Sequence, residues 1–420
     1  MKALKKYLEF YSDRTEPSAF PFLPVRFGVL IPCFGEKDEL LRQLQAWKNV
    51  SESFLLILII NEAFDSEEWA KDSNRSLLEE LRRHQVGSGQ KDFYADYLGL
   101  NLKILDRTQD HSLSEGVGEA RKIGADYLLK LHLRGDLLSE FIFSTDADTL
   151  PQPCYFESAQ FFTSRLAAVH FDFEHFYQQE IVDKSFSALT DYELSLRYYA
   201  WGLRSAGSPY CYPSIGSCLI INLNAYVKAR GFPQKKAGED FYLLNKLRKL
   251  GPIRFLPGFH LKIEARNKVR TPFGTTAALQ KNVGEFFFYS PEVFKLLKDF
   301  LTRAEEALIY EQDFKTIKDL WPTEEGQPDL EAYWDDLRQS SSEPNARLLQ
   351  FHTWFDGFKT LRFIQALTRQ RFPKGQLSWE LKEEIAKSLE SPNFLNSLLE
   401  LSLLDYSRNR VDQLLSLIHI

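Results

Sequence analysis

The stretch Phe141-Ile-Phe-Ser-Thr-Asp-Ala-Asp-Thr-Leu-Pro151 is the turning point of the chain. A short apolar run ends abruptly in two aspartates one residue apart, and Pro151 and Pro153 keep it from continuing as strand or helix. If Phe141 to Ser144 is a buried strand, Asp146 and Asp148 stand just past its carboxyl end, where open α/β sheets hold their ligands. Two carboxylates on one turn make half of a hard-oxygen site that suits Mg²⁺ or Mn²⁺ and leaves coordination positions for phosphate oxygens.

Upstream, the same design recurs. Phe27 to Cys33 reads as a strand running into the turn Phe34-Gly-Glu36, and Leu40, Leu41, Leu44 and Trp47 then repeat at helical spacing over Lys37 to Lys48. Glu36 either complements the dipole of that helix or faces a ligand. Phe54 to Ile60 is a continuous apolar run, as expected of a parallel strand covered on both faces, and it ends in the polar turn Asn61-Glu62. A helix over Asp72 to Arg83, a loop over Val86 to Gln90 and a strand over Leu102 to Asp106 follow. Gly116 and Gly118 then open a helix through Leu129, with Arg121 and Lys122 in its first turns, where backbone N–H groups favour anions. Strand and helix alternate at least three times before residue 150, which argues for a parallel, doubly wound sheet.

Past Pro153 the spacing predicts a strand over Leu166 to Phe173, a helix over Thr190 to Leu203, a buried strand over Ile215 to Asn222 and a helix ended by Gly231 and Pro233. Ala237 to Gly251 is an amphipathic helix with Glu239 and Asp240 in its first turn, a placement the helix dipole favours in its own right. A strand over Ile253 to Ile263 leads into the basic loop Arg266, Lys268, Arg270, with His260 just before it. His170 and His175 fall on opposite faces of their strand and read as acceptor-side or structural.

Taken together, Ile31-Pro-Cys-Phe-Gly-Glu36, Asn61-Glu62, Gly118-Glu-Ala-Arg-Lys122, Asp146-Ala-Asp148 and Gly238-Glu-Asp-Phe241 resemble, in order and spacing, the family-2 inverting glycosyltransferases of GT-A fold. The resemblance covers about residues 25–280. It implies an α/β fold, GT-A type, that is, a nucleotide-sugar-binding Rossmann-like mixed sheet, here followed by an all-α C-terminal extension. The implied domains are an N-terminal helix and arm over 1–24, a glycosyltransferase domain over 25–285 (nucleotide-binding half 25–150, acceptor half 151–285) and a helical extension over 286–420. The implied activity is transfer of a single sugar from a UDP- or GDP-sugar to a hydroxyl acceptor, with Mn²⁺ or Mg²⁺ held by Asp146 and Asp148; His260, by its place before the basic loop, reads either as a third ligand or as a structural histidine. Asp240 matches the general base and Glu239 its neighbour. Pro32, Glu36, Glu62, Arg121, Lys122 and Asp146 match positions around the nucleotide-sugar, while Arg270 stands in a basic loop that either closes over the donor phosphates or is simply solvated. Asn61-Glu62 departs from the usual Asp-Asp or Asn-Asp, and the Gln-x-x-Arg-Trp motif of processive synthases is missing. The alternatives are a sugar-phosphate nucleotidyltransferase, whose Gly-rich first loop is not found here, and a catalytically degenerate GT-A-like scaffold protein.

Bulk properties fit a globular protein of more than one core. The chain has 420 residues, 44% hydrophobic and 26% charged, with 34 Phe and 18 Tyr to fill its interior. A net charge of -6 argues against a nucleic-acid partner. No run approaches a membrane span, no secretory leader is recognisable and the four cysteines form no Cys-x-x-Cys pair, so a cytoplasmic enzyme is expected. From about Ser290 the pattern is helical: 291–310, 329–337, 346–369, 378–389 and 393–420, with Trp321, Trp334 and Trp354 as anchors. The leucine-rich face over 394–404 is expected in a core or in a homodimer contact.

Overall fold

The computed structural model describes residues 2–63, 65–108, 116–177, 184–235, 237–265, 287–322, 329–389 and 401–416. The chain forms two compact units, one of Met1–Val182, Ser214–Leu250 and Leu256–Ala278, the other of Asp183–Pro213, Gly251–Phe255 and Leu279–Ile420.

The first unit is built on strands β1 (Phe27–Cys33), β2 (Phe54–Asn61), β3 (Gln85–Val86), β4 (Phe93–Tyr97), β5 (Leu100–Arg107), β6 (Phe141–Ser144), β7 (Thr149–Leu150), β8 (Ala168–Phe176), β9 (Leu219–Asn222) and β10 (Ile253–Glu264). They form one sheet in the order β3-β4-β5-β2-β1-β6-β9-β8-β10-β7. The middle is parallel: β5, β2, β1 and β6 run together, with Phe27 opposite Phe54 and Gly28 opposite Ile142. Here the apolar runs are buried on both faces, as their lack of alternation predicts. Outside this middle the sheet is mixed, as the expected fold class has it. β4 is antiparallel to β5, and β9 is antiparallel to both β6 and β8. Strand β4 lies between the loop expected over Val86 to Gln90 and the strand expected from Leu102, where no element was expected, because it is short and its successive residues Phe93, Tyr94 and Ala95 are all buried, so no period-2 signal marks it.

Helix α1 (Lys2–Phe10) and helices α2 (Lys37–Trp47), α3 (Glu68–Arg82), α4 (Val117–Arg134), α6 (Leu223–Lys228) and α7 (Glu239–Arg248) belong to the first unit, while α5 (Lys184–Ser205) belongs to the second. The N-terminal arm is fastened along α4 by side chains four residues apart, which share one face of a helix. Lys122 donates to the Tyr7 hydroxyl (3.0 Å) and to Asp126 (2.8 Å), and Asp126 also accepts from the Tyr226 hydroxyl (2.9 Å) and the Asp13 N–H (2.7 Å). Lys130 donates to the carbonyls of Asp13 and Thr15, and Arg134 to those of Pro17 and Ser18. Asp126 is 1% exposed, so each of these donors offsets a carboxylate that would be costly to bury alone.

The second unit is helical, with α5 and helices Pro291–Ile309, Leu330–Gln339, Pro344–Trp354, Gly357–Gln370, Trp379–Leu389 and Leu403–Ser416. The helix expected over 346–369 is two: the chain breaks at Phe355, and Asp356 caps the next helix by accepting from the Lys359 N–H. Trp321 and Trp334 are buried as expected, and Trp354 stacks on Tyr333 at 5.1 Å. Glu305, fully buried, accepts from the Tyr406 hydroxyl and from Arg410, and lies 3.1 Å from the His352 ring. Residues 390–400, which hold most of the leucine-rich face, lie outside the described residues. Among the described residues no helix is long and apolar enough to cross a membrane.

Candidate active site

The parallel strands β2, β1 and β6 all deliver polar turns to the same edge, and β1 is where the strand order reverses, with β2 on one side and β6 on the other. Such a switch point opens a crevice at the carboxyl ends of the strands. Asp146 and Asp148 stand there on a turn closed by the Thr149 N–H bonding to the Asp146 carbonyl at 3.0 Å. That turn is held from below by Gln43 of α2, whose amide donates to the carbonyls of Asp146 (2.7 Å) and Thr149 (2.6 Å). On its other side the Glu264 N–H of β10 donates to the Asp148 carbonyl at 2.9 Å, and Glu264 is itself paired with Arg42.

Arg121, in the first turns of α4, is the hub. Its Nη2 reaches Asp146 Oδ1 at 2.7 Å, its Nε reaches Glu239 Oε1 at 2.8 Å, and its Nη1 donates to Ser144 Oγ (2.8 Å) and to the Gly216 carbonyl (3.2 Å). Its side chain is 3% exposed and that of Glu239 5%, while Asp146 keeps 32% of its side chain open, so the guanidinium is sealed and one carboxylate stays reachable. Burial works against the charge of Arg121, but Asp146, Glu239 and Asp240 outweigh it and hold its proton more tightly than usual. The carboxylates feel the opposite imbalance. Burial raises Asp146, Arg121 pulls it back, and Asp148, Glu36 and Glu239 push it up again, to about 6. Asp240 is raised to about 7 by burial and then by Glu239, against Arg121 and the Phe241 N–H. Glu36, Asp146, Asp148, Glu239 and Asp240 thus crowd negative charge that Arg121 only partly offsets.

That crowding is the test of whether a divalent cation fits. Hard oxygen donors with excess negative charge suit Mg²⁺ or Mn²⁺, and such ions commonly take one or two protein carboxylates and complete their shell with water and phosphate oxygens. Asp146 and Asp148 meet that description. Among the described residues no group of three or more His, Cys, Asp or Glu converges into a complete metal cage. His260 is not brought to this corner. It lies four residues before Glu264 on β10, about 13 Å along the strand from where Glu264 meets Asp148, and its Nδ1 is 3.2 Å from Asp172 instead.

The other expected residues divide. Pro32 is buried near the end of β1. Glu36 closes the turn after it, accepting from the Phe34 N–H at 3.2 Å, and Glu62 stands at the end of β2, within 3.4 Å of the Asn74 amide. Asn74, 1% exposed on α3, ties these two turns together, since it accepts from the Gly35 N–H (2.9 Å) and donates to the Asn61 carbonyl (3.1 Å). Lys122 turns away from the carboxylates. One residue on from Arg121 is about 100° round the helix, and Lys122 is engaged with Asp126 and Tyr7 under the N-terminal arm. Arg270 and its basic loop lie outside the described residues. Gly118 lets the backbone approach the chain itself closely: a Cβ there would stand 2.5 Å from the Pro233 carbonyl and 2.6 Å from that of Lys235. This contact seats the start of α4 against the segment leading into α7 and so brings Arg121 and Glu239 together. Gln43 and Asn74 went unnoticed in the sequence. Each is a neutral amide on the outer helices, and only the recurrence of one polar residue inside an otherwise apolar helix face marked them.

No family model matches the sequence, and no curated protein does. Solved structures similar to this chain include residues 1–349 of TarS from S. aureus, with 14% identity and a TM-score of 0.37 over 92% of this chain and 87% of that one. The same TarS fragment, solved with UDP-GlcNAc, gives 12% and 0.38 over 82% and 92%. The mannosyltransferase PcManGT from Pyrobaculum calidifontis, solved with GDP-Man and Mn²⁺, gives 14% and 0.34 over 97% and 92%. Glucosyl-3-phosphoglycerate synthase from Mycobacterium tuberculosis, solved with Mn²⁺, UDP and glucosyl-3-phosphoglycerate, gives 13% and 0.34 over 67% and 86%.

Proposed function

We propose that the chain is a metal-dependent inverting glycosyltransferase that moves one sugar from a UDP- or GDP-sugar to a hydroxyl acceptor. The observation that carries this reading is the Arg121 hub, which gathers Asp146 from the end of β6 and Glu239 from the start of α7 at a crevice edge, with Asp240 beside them. One wall of the crevice is then suited to a cation and a diphosphate, and the other carries a carboxylate with raised proton affinity.

In this reading Asp146 and Asp148 hold Mn²⁺ or Mg²⁺, which when bound neutralises charge on the departing nucleotide diphosphate. Glu36 and Glu62, on the turns braced by Asn74, face the nucleoside side. Asp240 accepts the proton of the acceptor hydroxyl as its oxygen forms a bond to the anomeric carbon and the bond from that carbon to the diphosphate breaks on the opposite face. A carboxylate raised to about 7 is suited to that task at neutral pH. Arg121 is a positioning residue: it fixes where Asp146 and Glu239 point and limits their repulsion.

The test is thermal unfolding with UDP-, GDP- and CDP-sugars, each with and without Mn²⁺, on the wild type, Asp148→Ala and Asp240→Asn. Support is a metal-dependent stabilisation by one nucleotide class that Asp148→Ala abolishes and Asp240→Asn retains, with donor turnover in Asp240→Asn down by roughly 10²–10⁴-fold. A ligand at ~100 times its dissociation constant contributes about 2.7 kcal/mol, well within view of the method. Absence of any metal-dependent shift in the wild type would sink the reading.

A further inference from the structure

A second surface of the first unit has no part in that chemistry. Helix α1 turns Tyr7 inward, edge-on to Tyr226 of α6 (ring centroids 5.8 Å apart), and Tyr11 lies under the guanidinium of Arg230 at 5.0 Å. At about 100° per residue, Lys2, Lys5 and Lys6 fall on the side away from Tyr7 with the single acid Glu9 among them, and Phe10 lies on one border of that stripe and Leu8 on the other. All of them are exposed, Phe10 by 67% and Leu8 by 38%. Lys228 and Arg230 from α6 and its end, and Lys246 from α7, are exposed as well. Arg230, reaching over Tyr11, sets the end of α6 beside α1. Among the described residues none of Lys2, Lys5, Lys6, Lys228, Arg230 and Lys246 is in an ion pair.

A chain of net charge -6 has therefore gathered unpaired cations on one patch and set exposed apolar side chains among them. Cations alone would suit any polyanion. A bilayer interface is the partner that takes up Phe10 and Leu8 as well, since an amphipathic helix lying in the interface buries its apolar borders while its lysines meet anionic headgroups. We propose that α1, with the adjoining cations of α6 and α7, is a docking surface for an anionic lipid bilayer. The attachment is reversible, because one short helix and a polybasic patch fall well short of a spanning segment.

The test is co-sedimentation of the full chain with vesicles of phosphatidylcholine alone or mixed with phosphatidylglycerol, at low and physiological salt. The expected result is binding to the mixed vesicles only, weakening as salt rises. Each lysine near an anionic surface contributes roughly fivefold, so Lys2, Lys5 and Lys6→Ala together should lose roughly 100-fold. Phe10→Ser should lose roughly tenfold at unchanged thermal midpoint, and Lys228 with Lys246→Ala should weaken binding independently, which keeps the idea testable if the α1 variants unfold. Equal binding to neutral vesicles, or none to anionic ones at low salt, would overturn it. So would heparin binding as tightly as the vesicles with Phe10→Ser without effect, which would assign the patch to a soluble polyanion.

Discussion

Replacing Arg121 by Met tests the electrostatics of the site without touching any atom proposed to meet substrate. The methionine fills much of the same volume but leaves Glu239 and Asp146 without the guanidinium that now lies 2.8 Å and 2.7 Å from them. Removing one member of a buried ion pair costs about 3–5 kcal/mol, because the partner stays buried and uncompensated. The full cost applies to Glu239, whose side chain is 5% exposed. The share from Asp146, 32% exposed, is reduced by solvent screening. A total of about 4 kcal/mol at pH 8 corresponds to a fall in Tm on the order of 10 °C. The pH dependence carries the reasoning. Asp146 and Asp240 have folded-state values raised to about 6 and about 7, so at pH 5 without metal both are largely protonated and Arg121 has mainly Glu239 left to balance. The loss on removing it should then shrink, by the smaller share that Asp146 and Asp240 contribute. Thermal unfolding of wild type and Arg121→Met, followed by circular dichroism at pH 5 and pH 8, makes the comparison, with Arg121→Lys as the variant that retains charge but not the fork of donors. An equal loss at both pH values, or a loss under about 2 °C at pH 8, would show that Arg121 is not balancing these carboxylates.

Other perturbations probe the supports. Gly118→Ala places a methyl against the carbonyls of Pro233 and Lys235, so it should cost roughly 1–3 kcal/mol by thermal unfolding and displace the start of α7. Gln43→Leu removes one donor from each of the carbonyls of Asp146 and Thr149, the former keeping the Thr149 N–H; it should cost roughly 1–3 kcal/mol and weaken Mn²⁺ binding, measured by calorimetry, by about tenfold. Burial lowers His170 to about 4, against an ordinary 6.5. The unfolded chain therefore takes up this proton first, and the associated stability, about 3 kcal/mol, is present above pH 6.5 and lost as pH falls toward 4. The raised Asp146 and Asp240 act with the opposite sign, so the measurement is the difference between wild type and His170→Phe in urea unfolding at pH 7 and pH 4.5. No difference in slope between the two would refute the assignment.

The strands that place the site were readable because each ends an apolar run in a polar turn. Phe27 to Glu36, Phe54 to Glu62 and Phe141 to Asp148 carry that signal within a dozen residues, and the sheet aligns all three. What could not be read depends on facts that linear order hides. Arg121 and Lys122 are neighbours with the same charge, yet the rotation of a helix sends one to Asp146 and Glu239 and the other to Tyr7 and Asp126. Gly118 signals a close approach in either case, and the sequence has no means to say that the approaching backbone is residues 233–235 and not a phosphate. His260 is a competent ligand by type, but strand geometry sets it beside Asp172. Helix α5 groups with the C-terminal helices although it stands between strands of the first unit in the chain, which no local pattern encodes.

The fastening of the N-terminal arm also has a bearing on how the protein is made. Tyr7 finds Asp126 only after α4 exists, and its ring partner Tyr226 lies roughly 200 residues farther along the chain. At ribosomal rates of about 5–20 residues per second, that interval is roughly 10–40 s. For all of it Tyr7 lacks its final ring partner, and α1 is locked late relative to its own synthesis. A basic, amphipathic helix is thus presented on every nascent chain before the crevice of the first unit is complete.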